Sequence, residues 1–149
     1  MTVPKLARTM WLIAALAAAG ARAEPAEETL DDAGFGKLAV YRATDEPKGV
    51  LLFASGAGGW SAELTAAARE MAKLDYVVAA INLDDYLARL ERSDGACADL
   101  SLDLDRLNRL LEQRYPIETH QPPVLLGYGA GATLGYAALA QAPAEGFHA

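Results

Sequence analysis

The stretch Pro123-Val-Leu-Leu-Gly-Tyr-Gly-Ala-Gly-Ala-Thr-Leu-Gly-Tyr-Ala-Ala-Leu-Ala140 decides how this chain is read. Three apolar residues after a proline pair predict a short buried strand. Gly127, Tyr128, Gly129, Ala130 and Gly131 then make a glycine-tight turn, and small residues with high helix propensity follow it. From Gln121 to Ala144 there is no charged residue. The run is long enough to raise the question of a membrane span, but its prolines and four glycines point to a strand and helix buried in protein.

Working back from this run, the same alternation recurs. Val50 to Ala54 is a continuous apolar segment, as expected of a strand covered on both faces, and it ends in the glycine-rich Ser55-Gly-Ala-Gly-Gly-Trp60. Ser61 is placed to cap a helix with Glu63 in its first turn and an apolar face of Leu64, Ala67, Ala68 and Met71. Tyr76 to Ile81 reads as another buried strand, ending in a loop Asn82-Leu-Asp-Asp85, with a short helix over Tyr86 to Glu91. Ala98 to Arg114 is amphipathic, with a stripe of Leu100, Leu104, Leu107 and Leu111, and Tyr115-Pro116 stops it. Lys37 to Arg42 is a plausible first strand, and the acidic residues 24–34 read as a loose lead-in. Strands alternating with helices predict an α/β fold, a mostly parallel sheet flanked by helices with right-handed crossovers.

The first residues belong to targeting. Lys5 and Arg8 precede the apolar run Met10 to Ala19, and Ala21-Arg22-Ala23 is a small-residue cleavage signal, so residues 1–23 are expected to be a signal peptide and residues 24–149 one domain. Loss of Lys5, Arg8 and Arg22 moves the net charge from −7 to −10. Such acidity offers no general footprint for nucleic acid. The single cysteine, Cys97, would then enter an oxidising compartment, where a disulfide to a cysteine outside these residues, an intermolecular bridge or a reactive thiol are the readings. No spacing suits a metal, and no cofactor is expected.

In open parallel sheets, ligands gather beyond the carboxyl ends of the strands. The turn Gly127 to Gly131 resembles the elbow at which α/β-hydrolases carry G-x-S-x-G, with Gly129 where the nucleophile would stand. In that fold the oxyanion hole joins the amide after the nucleophile to one from an earlier loop. The matching loop is Ser55, Gly56, Ala57, Gly58 and Gly59, and the matching amides are those of Ala130 and of Ala57 or Gly58. Packing is the competing reason for Gly127 and Gly131. Ser55 is a hydroxyl without a positioned base, Asp84 and Asp85 read as solvated loop acids, and after Gly129 only Glu145 and His148 could serve as acid and base. No catalytic residue is therefore assigned. Gly127, Gly129 and Ala132 also fit the dinucleotide fingerprint G-x-G-x-x-G/A, but the acidic residue expected about 20 residues on would close a strand beyond Ala149, and export would remove the chain from the cytoplasmic cofactor pool.

Beyond the elbow, Gly127 to Pro143 after Pro-Pro-Val-Leu-Leu, the leader, Val50-Leu-Leu-Phe-Ala-Ser-Gly56 with Gly-Gly-Trp60, and Cys97 in Ala-Cys-Ala-Asp-Leu100 resemble the AcvB/VirJ virulence-associated proteins of Gram-negative bacteria. The resemblance implies a periplasmic α/β-hydrolase-like domain, incomplete at its C-terminus, from a family linked to hydrolysis of lysyl-phosphatidylglycerol and to type IV secretion. It implies a partner in a catalytic second half or a secretion-system protein, an aminoacylated phospholipid as the substrate class, and a further cysteine to pair with Cys97. Because Gly129 lacks a nucleophile, a structural or binding role is expected of this chain. The alternative it leaves is a lipid hydrolase whose catalytic residues lie elsewhere.

Overall fold

A computed structural model describes residues 24–92 and 99–143. The leader, Cys97, Glu145 and His148 lie outside the described residues. Nine elements follow in order: β1 (Ala26–Asp32), β2 (Gly36–Arg42), β3 (Gly49–Ala54), α1 (Ala62–Ala72), β4 (Tyr76–Ile81), α2 (Leu83–Arg92), α3 (Leu100–Arg114), β5 (Val124–Gly127) and α4 (Ala130–Gln141). The five strands form one sheet in the order β1-β2-β4-β3-β5. β3 runs parallel to both β4 and β5, with Leu51 facing Val78 on one side and Val124 on the other. β1 and β2 join antiparallel, so the α/β sheet expected from the sequence carries an antiparallel hairpin on one side.

That hairpin corrects the reading of residues 24–34. They are not a loose lead-in: β1 pairs with β2 along its whole length, from Ala26 opposite Arg42 to Asp32 opposite Gly36. The Asp32 carboxylate accepts from the backbone N–H groups of Gly34 (2.8 Å) and Phe35 (2.9 Å) and so closes the turn between them.

Alternation along each strand sends side chains to opposite faces and makes two cores. Leu51, Phe53, Val78, Ala80 and Tyr41 pack beneath α1 through Leu64, Ala68 and Ala72. On the other face Leu52, Val77, Ala79 and Ile81 meet Leu104, Leu107 and Leu111 of α3 and Leu134 and Ala138 of α4. The three α3 leucines are fully buried, which is worth about 1.5–3 kcal/mol each. The expected Ser61 cap and the stop at Tyr115 are in place, and Asp99 adds a cap that the sequence reading does not name. Ser61 Oγ accepts from Leu64 N, Asp99 caps α3 through Leu102 N, and the Tyr115 N–H closes the end of α3 on the Leu111 carbonyl.

A second correction concerns Asn82 to Asp85. Helix α2 starts at Leu83, and Asn82 caps it by accepting from Asp84 N (3.1 Å) and Asp85 N (3.5 Å). Asp84 and Asp85 therefore lie in a helix first turn, where the dipole favours carboxylates, rather than in a solvated loop.

Candidate functional site at the strand ends

The turn between β5 and α4 is built by three backbone contacts. Tyr128 N donates to the Ala54 carbonyl (3.0 Å), Gly131 N to the Tyr128 carbonyl (2.9 Å), and Ala132 N to the Gly129 carbonyl (3.1 Å). Two of its glycines are required by packing. A Cβ on Gly131 would come within 2.6 Å of the Ala54 carbonyl oxygen, and one on Gly127 would sit 2.5 Å from Ala132 N. The first turn of α4 is thus pressed directly against the ends of β3 and β5.

Gly129 differs from both. It sits at φ 54°, ψ −121°, a conformation that strains any residue with a side chain, yet a Cβ there would meet nothing nearer than Gly56 Cα at 3.8 Å. The turn has a backbone that glycine adopts freely and a side chain would strain, with open space where a side chain would project. It has no side chain to put there.

The glycine loop after β3 faces this elbow. Ser55 is fully buried, donates its hydroxyl to the Gly56 carbonyl (3.3 Å) and accepts from Leu83 N (3.0 Å). Both contacts commit the hydroxyl to joining β3 to the start of α2. Gly58 and Gly59 take the left-handed φ values 94° and 79° that their turn demands. Gly59 N donates to the Gly56 carbonyl (3.3 Å), and Gly58 N donates to Asp84 Oδ2 (3.0 Å). Of the two loop amides matched to the oxyanion position, Gly58 is therefore occupied by a carboxylate. Ala57 is exposed, and no described residue accepts from its N–H. The same holds for Ala130, whose N–H opens α4 with neither a side-chain cap nor an acid in the first turn.

Sequence reading missed the Asp84 contact because it spans 26 positions and no local pattern announces it. It also missed a cleft of about 440 Å³ that begins at Ala130 and runs between α2 and α4. The repeat of Leu83, Tyr86, Leu87 and Leu90 at i, i+3, i+4 and i+7 was the available signal. Tyr86 stacks on Phe35 (5.0 Å between centroids), and its hydroxyl is buried without a described partner. Burial, with a smaller contribution from the Asp103 charge, pushes this phenol up to about 12. Burial likewise raises the Asp103 carboxyl, against the pull of Arg106 at 3.5 Å. Among the described residues no helix is long and apolar enough to cross a membrane, and no cluster of metal-ligating side chains occurs.

No family model and no curated protein matches the sequence. Solved structures do. A chain titled "m3DLH" superposes with a TM-score of 0.55 at 15% identity, covering 78% of this chain and 54% of its own. A thioesterase domain from the curacin biosynthetic pathway gives a TM-score of 0.41 at 20% identity, covering 74% of this chain and 39% of its own. This chain thus spans about half or less of the length of these neighbours. The fold is α/β, with a strand, a glycine turn and a helix in succession at β5 and α4.

Proposed function

We propose that this chain is a periplasmic α/β-hydrolase-like module of the AcvB/VirJ type that is non-catalytic by itself. In this reading residues 1–23 direct export, and the remainder serves as a structural or binding module beside a catalytic half or a secretion-system partner. The observation that carries the reading is Gly129: a turn at positive φ suited to glycine, amides at Ala57 and Ala130 without a described acceptor, and no nucleophile. Ser55, the nearest hydroxyl at a strand end, is buried and committed to Leu83 and Gly56.

A second reading is a hydrolase of lysyl-phosphatidylglycerol whose acid, base and nucleophile come from outside these residues. The two unpaired amides support it, because a hydrolase needs donors of that kind for a developing oxyanion. Assay of the 149-residue chain on lysyl-phosphatidylglycerol, with and without Gly129→Ser, tests the first reading. Neither form is expected to turn over, since among the described residues the histidine is His120, which is bonded to Glu112 (2.7 Å) and precedes β5, whereas the elbow follows it. Turnover by the unmodified chain overturns the non-catalytic reading. Turnover by a longer product of the same reading frame, abolished by removing a serine beyond Ala149, establishes the second.

A further inference from the structure

Among the described strands β5 pairs with β3 alone, so one side of Val124 to Gly127 presents a row of unmatched backbone donors and acceptors. α4 beside it is apolar on more than one face. It buries Gly131, Leu134 and Ala138 against the sheet, while Ala132, Gly135, Tyr136 and Leu139 repeat at i, i+3, i+4 and i+7 as a second stripe. Tyr136 is 76% exposed on that stripe and Leu139 38%. A helix that is apolar all round is normally covered all round.

We propose that two copies of this chain associate through β5 and α4. The two β5 strands run antiparallel across a two-fold axis, and each Tyr136 enters the recess over the other copy's Gly135. The association goes beyond the elbow's role and stands whichever reading of the elbow holds.

Shape favours a second copy, because the patch carries both a projection and a recess. Tyr136 borders a hollow of about 150 Å³ lined with it by Leu125, Gly127, Ala132, Gly135 and Leu139, and a Cβ on Gly135 would meet nothing within 4 Å. A surface with its own knob and its own hole can match itself across a two-fold axis. Charge favours it as well. The chain carries a net charge of −7, yet no charged residue lies between Gln121 and Ala144. Two acidic copies repel in most orientations, and on this face they meet without burying a charge. A cationic partner finds its carboxylates at β1, on the other side of the sheet.

The pairing is also bounded. Pro122 and Pro123 bring no N–H to the approach to β5, and Tyr128 N is already given to the Ala54 carbonyl. The opposite edge, β1, is charged, so pairing closes at two copies. Tyr136 and Leu139, with Leu126 and Tyr128 nearby, make an apolar patch of roughly 300–600 Å². Stable complexes bury about 800 Å² per partner, so this dimer is weak, with a Kd on the order of 10–100 µM.

The test is sedimentation of the 149-residue chain from about 1 µM to about 1 mM, spanning that Kd. A reducing agent keeps any Cys97 bridge from contributing. The mass should rise to twice that of the chain and no further. Association should tighten in about 0.5 M salt, which screens the repulsion between acidic copies. Tyr136→Lys places a charge at two equivalent positions and should weaken the dimer about 10-fold or more. Gly135→Leu fills the recess without adding charge and should weaken it too. Tyr136 is exposed and Gly135 faces open space, so both variants keep the fold, as circular dichroism would verify. Leu102→Lys, at a 64% exposed position of α3, should leave association unchanged. A monomer at every concentration overturns the proposal, as does association undiminished by Tyr136→Lys. Mass rising beyond two copies overturns the two-fold closure. Undiminished association of Gly135→Leu overturns the seating of Tyr136.

Discussion

β1 and β5 close the two sides of one sheet, yet β1 carries four carboxylates in seven residues and β5 none in four. At β1, side chains do the holding. Arg69 of α1 reaches Glu27 (2.9 Å) on one face, and Arg114 of α3 reaches Glu28 (3.2 Å) on the other. Asp32 closes the hairpin, and Phe35 stacks on Tyr86. At β5 the holding depends on missing side chains. Gly127 and Gly131 let α4 lie against the backbone of β3 and β5, and α4 buries only Gly131, Leu134 and Ala138 of its twelve residues. Leu126, Tyr128, Tyr136 and Leu139 stay exposed there. A charged edge resists pairing with other strands, whereas an uncharged one invites it. The difference is that charged side chains hold one edge, whereas close backbone approach through glycine holds the other.

The largest expected effect breaks the comparison on its glycine side. Gly131→Ala puts a methyl group against the carbonyls of Ala54, the last residue of β3, and of Ser55 just after it, which are backbone and cannot yield as a flexible side chain would. Overpacking of this kind costs about 1–3 kcal/mol and more where backbone must move. We expect about 3 kcal/mol or more, read as a fall in the urea midpoint with unchanged slope. Gly129→Ser, by contrast, meets open space and adds only backbone strain, about 1–3 kcal/mol. Equal tolerance of alanine at Gly131 and serine at Gly129 would show that close approach does not hold the α4 edge.

An exchange of character between the edges comes next. Leu126→Lys places a charge on the exposed side of β5, and Glu28→Leu removes one from β1. Light scattering of residues 24–149 should show association beginning at several-fold higher concentration for the first variant and at lower concentration for the second. No shift with Leu126→Lys would mean that the β5 edge does not drive association.

The same contrast explains how much could be read beforehand. β3, β4 and the α3 stripe were legible because buried parallel strands and a one-sided helix leave strong apolar patterns, as in Val50 to Ala54 and Leu100, Leu104, Leu107 and Leu111. β5 and α4 form as expected but are mostly half-buried to exposed rather than buried. β1 was not legible, because nearly all of its residues are exposed and its stability comes from backbone pairing and distant arginines. At the site, the elbow's need for glycine was readable at Gly127 and Gly131. The Gly58–Asp84 bond and the burial of Ser55 needed the fold to bring β3 against α2. The start of α2 was within reach, since Asn82 followed by two aspartates is a capping pattern.

The smallest expected effect sharpens the β1 side. The hydrogen bond to Glu28 raises the Arg114 guanidinium above its usual value, as Glu27 does for Arg69, but both pairs are exposed. Exposed pairs lose most of their attraction to solvent and salt. Arg69→Gln and Arg114→Gln should therefore each shift the thermal midpoint only slightly, and in about 0.5 M salt, where the screening length falls to a few ångströms, the shift should vanish. Because the two arginines act from opposite faces and share no partner, their small effects should add. A large, salt-resistant loss from either would mean that β1 depends on its ion pairs for pairing with β2. A small, screened one assigns the strand to its seven-residue ladder and to Phe35, and leaves the carboxylates the task of keeping that edge unpaired.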